Sequence, residues 1–228
     1  MPTLVVGAGP GMGRAIAAAL GLEHGPVALV ARRPDSLDRL TRDLADVGVT
    51  AAGFAADITD TDALRAAIAD ARTTVGPFTV VVHNASSYVA GPPTQVDVAA
   101  FQAGLATGIT AALVTLQATA GDLLAAAGRS CVLFTGGGLA LNPWPDAIGL
   151  AVQKAGLRHL ALATASELRP SGVSVSIVTI RGTVEPGGPF DPDRIASVFA
   201  ALARSGGQRP VEVMVDAAGP DWPAHIGA

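Results

Sequence analysis

Several residue types are scarce in this chain, and each scarcity excludes something. There is one cysteine, Cys131, one tyrosine, Tyr88, and one lysine, Lys154; nearly all of the positive charge is arginine. A single cysteine cannot close an internal disulfide, which fits a reducing compartment and a cytoplasmic protein. Cys131 lies in an apolar run, where a buried, inert thiol is expected. Charged residues make up only 15% of the chain, the net charge is −4, and no basic block exists. Nucleic acid and anionic membrane surfaces are therefore not expected partners. No apolar run reaches the roughly 18–20 residues of a membrane span without Gly, Pro or charge. The first strand pattern begins by Thr3, which leaves no room for a leader peptide. No metal site is expected.

Half of the residues, 50%, are apolar, and 228 residues are enough for one domain with a full core. Strand and amphipathic-helix patterns alternate from end to end. Strands are predicted near 3–7, 26–31, 50–55, 78–83, 130–135, 173–180 and 211–215, and helices near 11–22, 35–47, 60–74, 95–127, 147–168 and 191–204. Asp60 and Asp191 are candidate N-caps, and Pro34, Pro77 and Pro170 mark boundaries. The alternation predicts an α/β fold, a Rossmann-like doubly wound parallel sheet of about seven strands with helices on both faces. No repeat, low-complexity tail or linker divides it, so 1–228 is expected to be a single domain.

The stretch Leu4-Val5-Val6-Gly7-Ala8-Gly9-Pro10-Gly11-Met12-Gly13-Arg14 joins an apolar strand to a run of good helix formers. Glycines let a backbone turn sharply and approach a pyrophosphate, and the helix N-terminus then offers free N–H groups to that anion. The same sequence without a ligand would be a plain glycine turn; strand before, helix after and a second strand at Val27–Ala31 favour the dinucleotide site. After that second strand an acid would bind a ribose 2′-hydroxyl, whereas arginine accepts a 2′-phosphate. Arg32 and Arg33 stand there, with Arg14 just after the glycine turn. This predicts NADPH (or NADP+) rather than NADH, against the alternative of two solvated arginines.

The glycine spacing resembles that of the short-chain dehydrogenase/reductase family, and the resemblance covers nearly the whole chain. It implies that Asp57 accepts from the adenine amino group and that Ile58 packs on the ring, although Asp57 can equally cap its loop. His83-Asn84-Ala85-Ser86 resembles the family's Asn-Asn-Ala-Gly motif, which steadies the sheet and lines the ribose pocket. His83 is expected to be structural. Near Arg181-Gly182-Thr183-Val184, where the family has Pro-Gly, Gly182 and Val184 are expected to hold the carboxamide through backbone.

The family's active site is a Ser, a Tyr and a Lys, usually with an Asn from the preceding long helix. The signature Tyr-x3-Lys puts both side chains on one helix face. Lys154 matches the lysine and is implied to bond the nicotinamide ribose, the alternative being a surface lysine. The Tyr position falls on Leu150, the Ser position on Gly137 and the Asn position on Gly108. A leucine cannot move a proton, and losing a general acid costs roughly 10²–10⁴ in rate. Ordinary ketones are therefore expected to be poor substrates. Thr135, Asp146 and Tyr88 are the candidate replacements, with Asn142 and Trp144 on cleft-side loops; loop structure or packing would also explain them. The expected function is an NADPH-dependent oxidoreductase with a non-standard site, reducing a small molecule such as an imine or an activated carbonyl or alkene. The alternatives are a cofactor-binding protein without turnover and a non-redox enzyme reusing the fold. By resemblance, a homodimer or homotetramer is expected.

Overall fold

Side chains alternate across a strand, so a sheet buried on both faces sends successive residues into two separate cores. In the computed structural model, which describes residues 1–205 and 209–221, that division is plain. Leu4, Val6, Ala28, Val30 and Val81 enter one core, and Val5, Val27, Leu29, Val80 and Val82 enter the other. The elements run β1 (Thr3–Val6), α1 (Met12–His24), β2 (Val27–Ala31), α2 (Pro34–Ala45), β3 (Ala51–Ala55), α3 (Thr61–Val75), β4 (Val80–His83), α4 (Val98–Leu105), α5 (Ala111–Ala125), β5 (Cys131–Gly137), α6 (Ile148–Leu168), β6 (Ser174–Ile180), α7 (Pro192–Arg204), β7 (Glu212–Asp216) and β8 (Gly219–Pro220).

The sheet order is β3-β2-β1-β4-β5-β6-β7-β8. Strands β1 to β7 pair in parallel, as the alternation predicts. The eighth strand was not expected: it is two residues long and antiparallel, folded back on β7 by a turn in which Asp216 accepts from Ala218 and Gly219 N–H groups. Two residues are too few to show any period.

The chain reverses its winding direction between β1 and β4, which opens a crevice at their carboxyl ends. Asp60 and Asp191 cap α3 and α7 as expected, each accepting two backbone N–H groups, and Asp97 caps α4. Helices α4 and α5 form one continuous helix through a π-helical turn at Ala106–Thr110. By length and composition that helix, Val98–Ala125, could cross a membrane, a property shared with apolar core helices. Here α5 packs on α3 and β4, and α4 packs on α6.

Candidate active site

The glycine turn contains two kinds of glycine. A Cβ on Gly7 would lie 2.5 Å from the Ala85 nitrogen, and one on Gly13 would lie 2.8 Å from the Ala8 Cα, so packing alone demands glycine there. Gly7 also has φ of +89°, in the left-handed region. A Cβ on Gly9 or Gly11 would meet nothing within 4 Å. These two keep space open over the N-terminus of α1, and that end has neither a side-chain cap nor an acidic residue in its first turn. Free helix N–H groups facing an uncovered glycine cradle fit a pyrophosphate. Met12 lines the neighbouring cleft, and Arg14 is half-buried, its backbone N–H given to the Gly9 carbonyl and its guanidinium without a hydrogen-bond partner among the described residues.

At the ends of β2 and β3 the picture is mixed. Arg32 is exposed and unpaired among the described residues. Arg33 instead donates from Nε and Nη2 to Asp35 at 3.1 and 2.6 Å. Both partners of that pair are exposed, where ion pairs are weak, so an incoming phosphate can take Arg33 from Asp35. Asp57 Oδ1 accepts from the Thr59 N–H and hydroxyl, and these two bonds hold its carboxyl below the usual range. It caps its loop. Ile58 is 7% exposed and belongs to the same buried cluster as Leu64 and Ile68.

The reacting end is organised by a chain of hydrogen bonds. Lys154, on α6, donates from Nζ to the Thr135 carbonyl at 2.8 Å. The Thr135 hydroxyl donates to Asn84 Oδ1 at 2.8 Å, and Asn84 Nδ2 donates to the Gly7 carbonyl at 2.9 Å. Helix α6, the ends of β5 and β4, and the glycine turn are thereby tied together. Lys154 is not a surface lysine: it is 8% exposed, and burial pushes its ammonium down to about 8. Its stem runs beside Gly137, where a Cβ would lie 3.4 Å from Lys154 Cγ. Leu150 stands one turn earlier on α6 and also faces the cleft.

The cleft has a volume of about 760 Å³. The predicted residues Asn84, Ser86, Tyr88, Thr135, Gly182 and Val184 line it, as do Asn142 and Trp144. Ala85 packs beneath the turn at Gly7. Tyr88 is 63% exposed and Trp144 50% exposed. Two candidates for proton transfer change status. Asp146 does not line the cleft; it is exposed, and its carbonyl accepts from the Gly91 N–H. The Thr135 hydroxyl proton is committed to Asn84, so this side chain positions rather than donates.

Of two buried residues below the cleft, Gln153 was not singled out in the sequence, whereas His83 was. Gln153 is fully buried: its Oε1 accepts from the Ser87 N–H at 3.2 Å, and its Nε2 donates to the Gly104 carbonyl at 2.8 Å. It pins the loop carrying Ser86 and Tyr88 to α4. Its amide fills the space in front of Gly108, where a Cβ would lie 2.1 Å from Gln153 Cγ. His83, expected to be structural, is fully buried with neither ring nitrogen in hydrogen-bond geometry, although the Thr107 carbonyl of the π turn lies close enough to favour its charged form. Burial first, and Lys154 second, push it down to about 3, so the ring is neutral.

The chain matches the family model described as short chain dehydrogenase over residues 2–186. It is 30% identical over 174 residues to 2-(S)-hydroxypropyl-CoM dehydrogenase 3 of Xanthobacter autotrophicus, covering 76% of this chain and 68% of that protein. Among solved structures, a metagenomic short-chain oxidoreductase in complex with NADP is 32% identical with a TM-score of 0.86, covering 94% of this chain and 96% of the other. A dehydrogenase/reductase from Sinorhizobium meliloti 1021 is 25% identical with a TM-score of 0.85, covering 95% of this chain and 93% of the other.

Proposed function

The chain belongs to the short-chain dehydrogenase family, whose members are NAD(P)-dependent oxidoreductases, and on that premise we propose that it is an NADPH-dependent reductase without the family's usual proton donor. The observation that carries the reading is the setting of Lys154. Its ammonium is buried and fixed to the Thr135 carbonyl, while two neighbouring cleft positions, Leu150 on α6 and Gly137 on β5, cannot titrate. These positions correspond to the Tyr and Ser of the family set.

The dinucleotide would lie over Gly9 and Gly11, with its 2′-phosphate toward Arg14, Arg32 and Arg33 and its nicotinamide ribose toward Lys154. A similar structure is bound to NADP, which supports the cofactor class. When bound, NADPH supplies a hydride. The residues of this chain do the rest. Lys154 keeps two N–H groups beyond the one given to Thr135, enough to hold a pair of hydroxyls. With its ammonium near 8, Lys154 is also an acid able to give up a proton close to neutrality. Tyr88 offers a hydroxyl from an exposed position of the cleft lining. Leu139, Leu150 and Trp144 give the cleft apolar lining. A substrate that needs little help from an acid suits this cleft: an iminium, which is already protonated, or an activated carbonyl or alkene.

The same Leu150 and Gly137 favour a second reading, a cofactor-binding protein without turnover. Assembly as a cytoplasmic homodimer or homotetramer belongs to the proposal; the exposed Leu113 and Leu124 on α5 support a subunit contact, and the lone buried Cys131 suits a reducing compartment.

A fluorescence titration with NADPH and NADH tests the reading. NADPH is expected to bind at least tenfold more tightly, and Arg32→Ala to erase the preference. Absence of binding by either cofactor at near-millimolar concentration overturns both readings. Consumption of NADPH with an imine, enone or quinone then separates enzyme from silent binder.

A further inference from the structure

We infer that the cleft selects substrates bearing a carboxylate or sulfonate, held by the guanidinium of Arg181. The inference rests on the reductase reading and names its substrate class.

Arg181 is the first residue after β6. Its backbone N–H donates to the Val215 carbonyl at 2.9 Å, which extends the sheet pairing by one residue and fixes the Cα. That Cα lies 3.1 Å from where a Cβ on Gly138 would be, so Arg181 stands directly across from the end of β5. The reacting end of the cleft, beside Gly137 and Lys154, is therefore within reach of its side chain. The other arginine candidates for anion binding, Arg14 and Arg32, belong to the far end, beyond the glycine turn.

The side chain is exposed and has no hydrogen bond or ion pair among the described residues. Arg33, Arg39, Arg72, Arg158 and Arg204 each have a carboxylate. Among the described residues Arg181 has none, and no acidic residue lines the cleft. Its two charged groups, Lys154 and Arg181, are both cations. Lys154 is tied to the Thr135 carbonyl and assigned to the nicotinamide ribose, which leaves Arg181 as the cation free to meet a charged group on the substrate.

An uncompensated guanidinium beside the apolar walls of Leu139, Leu150 and Trp144 concentrates positive potential in the cleft. Its planar fork matches the two oxygens of a carboxylate or sulfonate through parallel hydrogen bonds. A substrate with such a group at one end and an apolar body would place the body against Leu150 and Trp144. A neutral analogue would fill the same walls and leave Arg181 to water.

The test uses protein saturated with NADP+ and calorimetric titration with benzoate, benzenesulfonate and neutral benzamide. At least one of the two anions is expected to bind tenfold or more tightly than benzamide, and whichever is preferred assigns the head group. Arg181→Leu, and Arg181→Gln as a second exposed substitution, are expected to bring the anion within threefold of benzamide and to leave NADPH affinity unchanged. Equal binding of all three probes, or no binding of any at millimolar concentration, overturns the inference. So does charge selectivity that survives in both variants. A tenfold loss of NADPH affinity in either variant assigns Arg181 to the cofactor instead, and overturns it equally. The separate NADPH titration keeps the two proposals apart: its failure removes the reductase reading, whereas normal cofactor binding without charge selectivity removes the anion subsite alone.

Discussion

Leu150 and Gly137 decide what the cleft can do with a proton, and their surroundings admit the missing groups. A Cβ on Gly137 would lie 3.4 to 3.6 Å from the Lys154 stem, ordinary van der Waals contact, so a serine fits without displacing the lysine. Leu150 is half-buried and already faces the cleft one turn from Lys154, the spacing that places i and i+4 side chains side by side. The double variant Gly137→Ser, Leu150→Tyr is expected to reduce a simple activated ketone with NADPH about 10²-fold faster than the parent, the scale of a restored general acid. The loss of NADPH absorbance measures it, with Leu150→Phe as the control that adds a ring but no hydroxyl. A double variant no faster than the parent would show that these positions are not the equivalents of the family's Ser and Tyr. Asn84 and Thr135 do not need changing, since their mutual bond already orders the strand ends beside the new serine.

The junction of α4, α5 and α6 is the element on which the cleft wall depends. The π turn at Ala106–Thr110 lets the helix pass Gln153, and Gly108 gives that side chain its room. Gly108→Ala places a methyl group 2.1 Å from Gln153 Cγ, so it is expected to cost about 1–3 kcal/mol through overpacking. Gln153→Ala should relieve that clash while losing its own buried hydrogen bonds, so the two substitutions are expected to be strongly non-additive in urea-denaturation midpoints. Additive effects would mean that Gly108 and Gln153 do not share the space. This junction is also where reading the sequence stops working. The strands and helices are legible because each carries one period, and Asp60 and Asp191 are legible as caps because capping is local. The contact between Gly108 and Gln153 joins residues 45 positions apart on two helices, and neither helix alone records it. Asp146 has the right helical spacing to face the cleft, but its loop is fixed by the backbone bond to Gly91 instead.

Across the whole molecule, stability should depend on pH through two bases buried side by side. His83 is neutral in the fold, with its ring pushed to about 3, whereas an unfolded histidine protonates near 6.5. Between those values the unfolded chain binds the extra proton, so this contribution is fully present above pH 6.5 and drains away as pH falls toward 3. At pH 5 the loss amounts to about 2 kcal/mol. Lys154 has the same direction of shift at the other end of the scale. It is held at about 8 against 10.5, so the fold bears the cost of a buried ammonium at neutral pH and sheds that cost as pH rises past 8. Cys131, fully buried and pushed up to about 11 from 9.0, acts in the opposite sense once free thiols ionise, so the window that isolates Lys154 ends near pH 9. Urea unfolding from pH 4.5 to 9 is the measurement. The parent should lose stability below pH 6.5 more steeply than His83→Asn, and should gain about 1 kcal/mol from pH 8 to 9 relative to Lys154→Met. Parallel curves for parent and His83→Asn on the acid side would mean that the imidazole is hydrated or paired in solution, and that the core beneath the cleft is wetter than its packing implies.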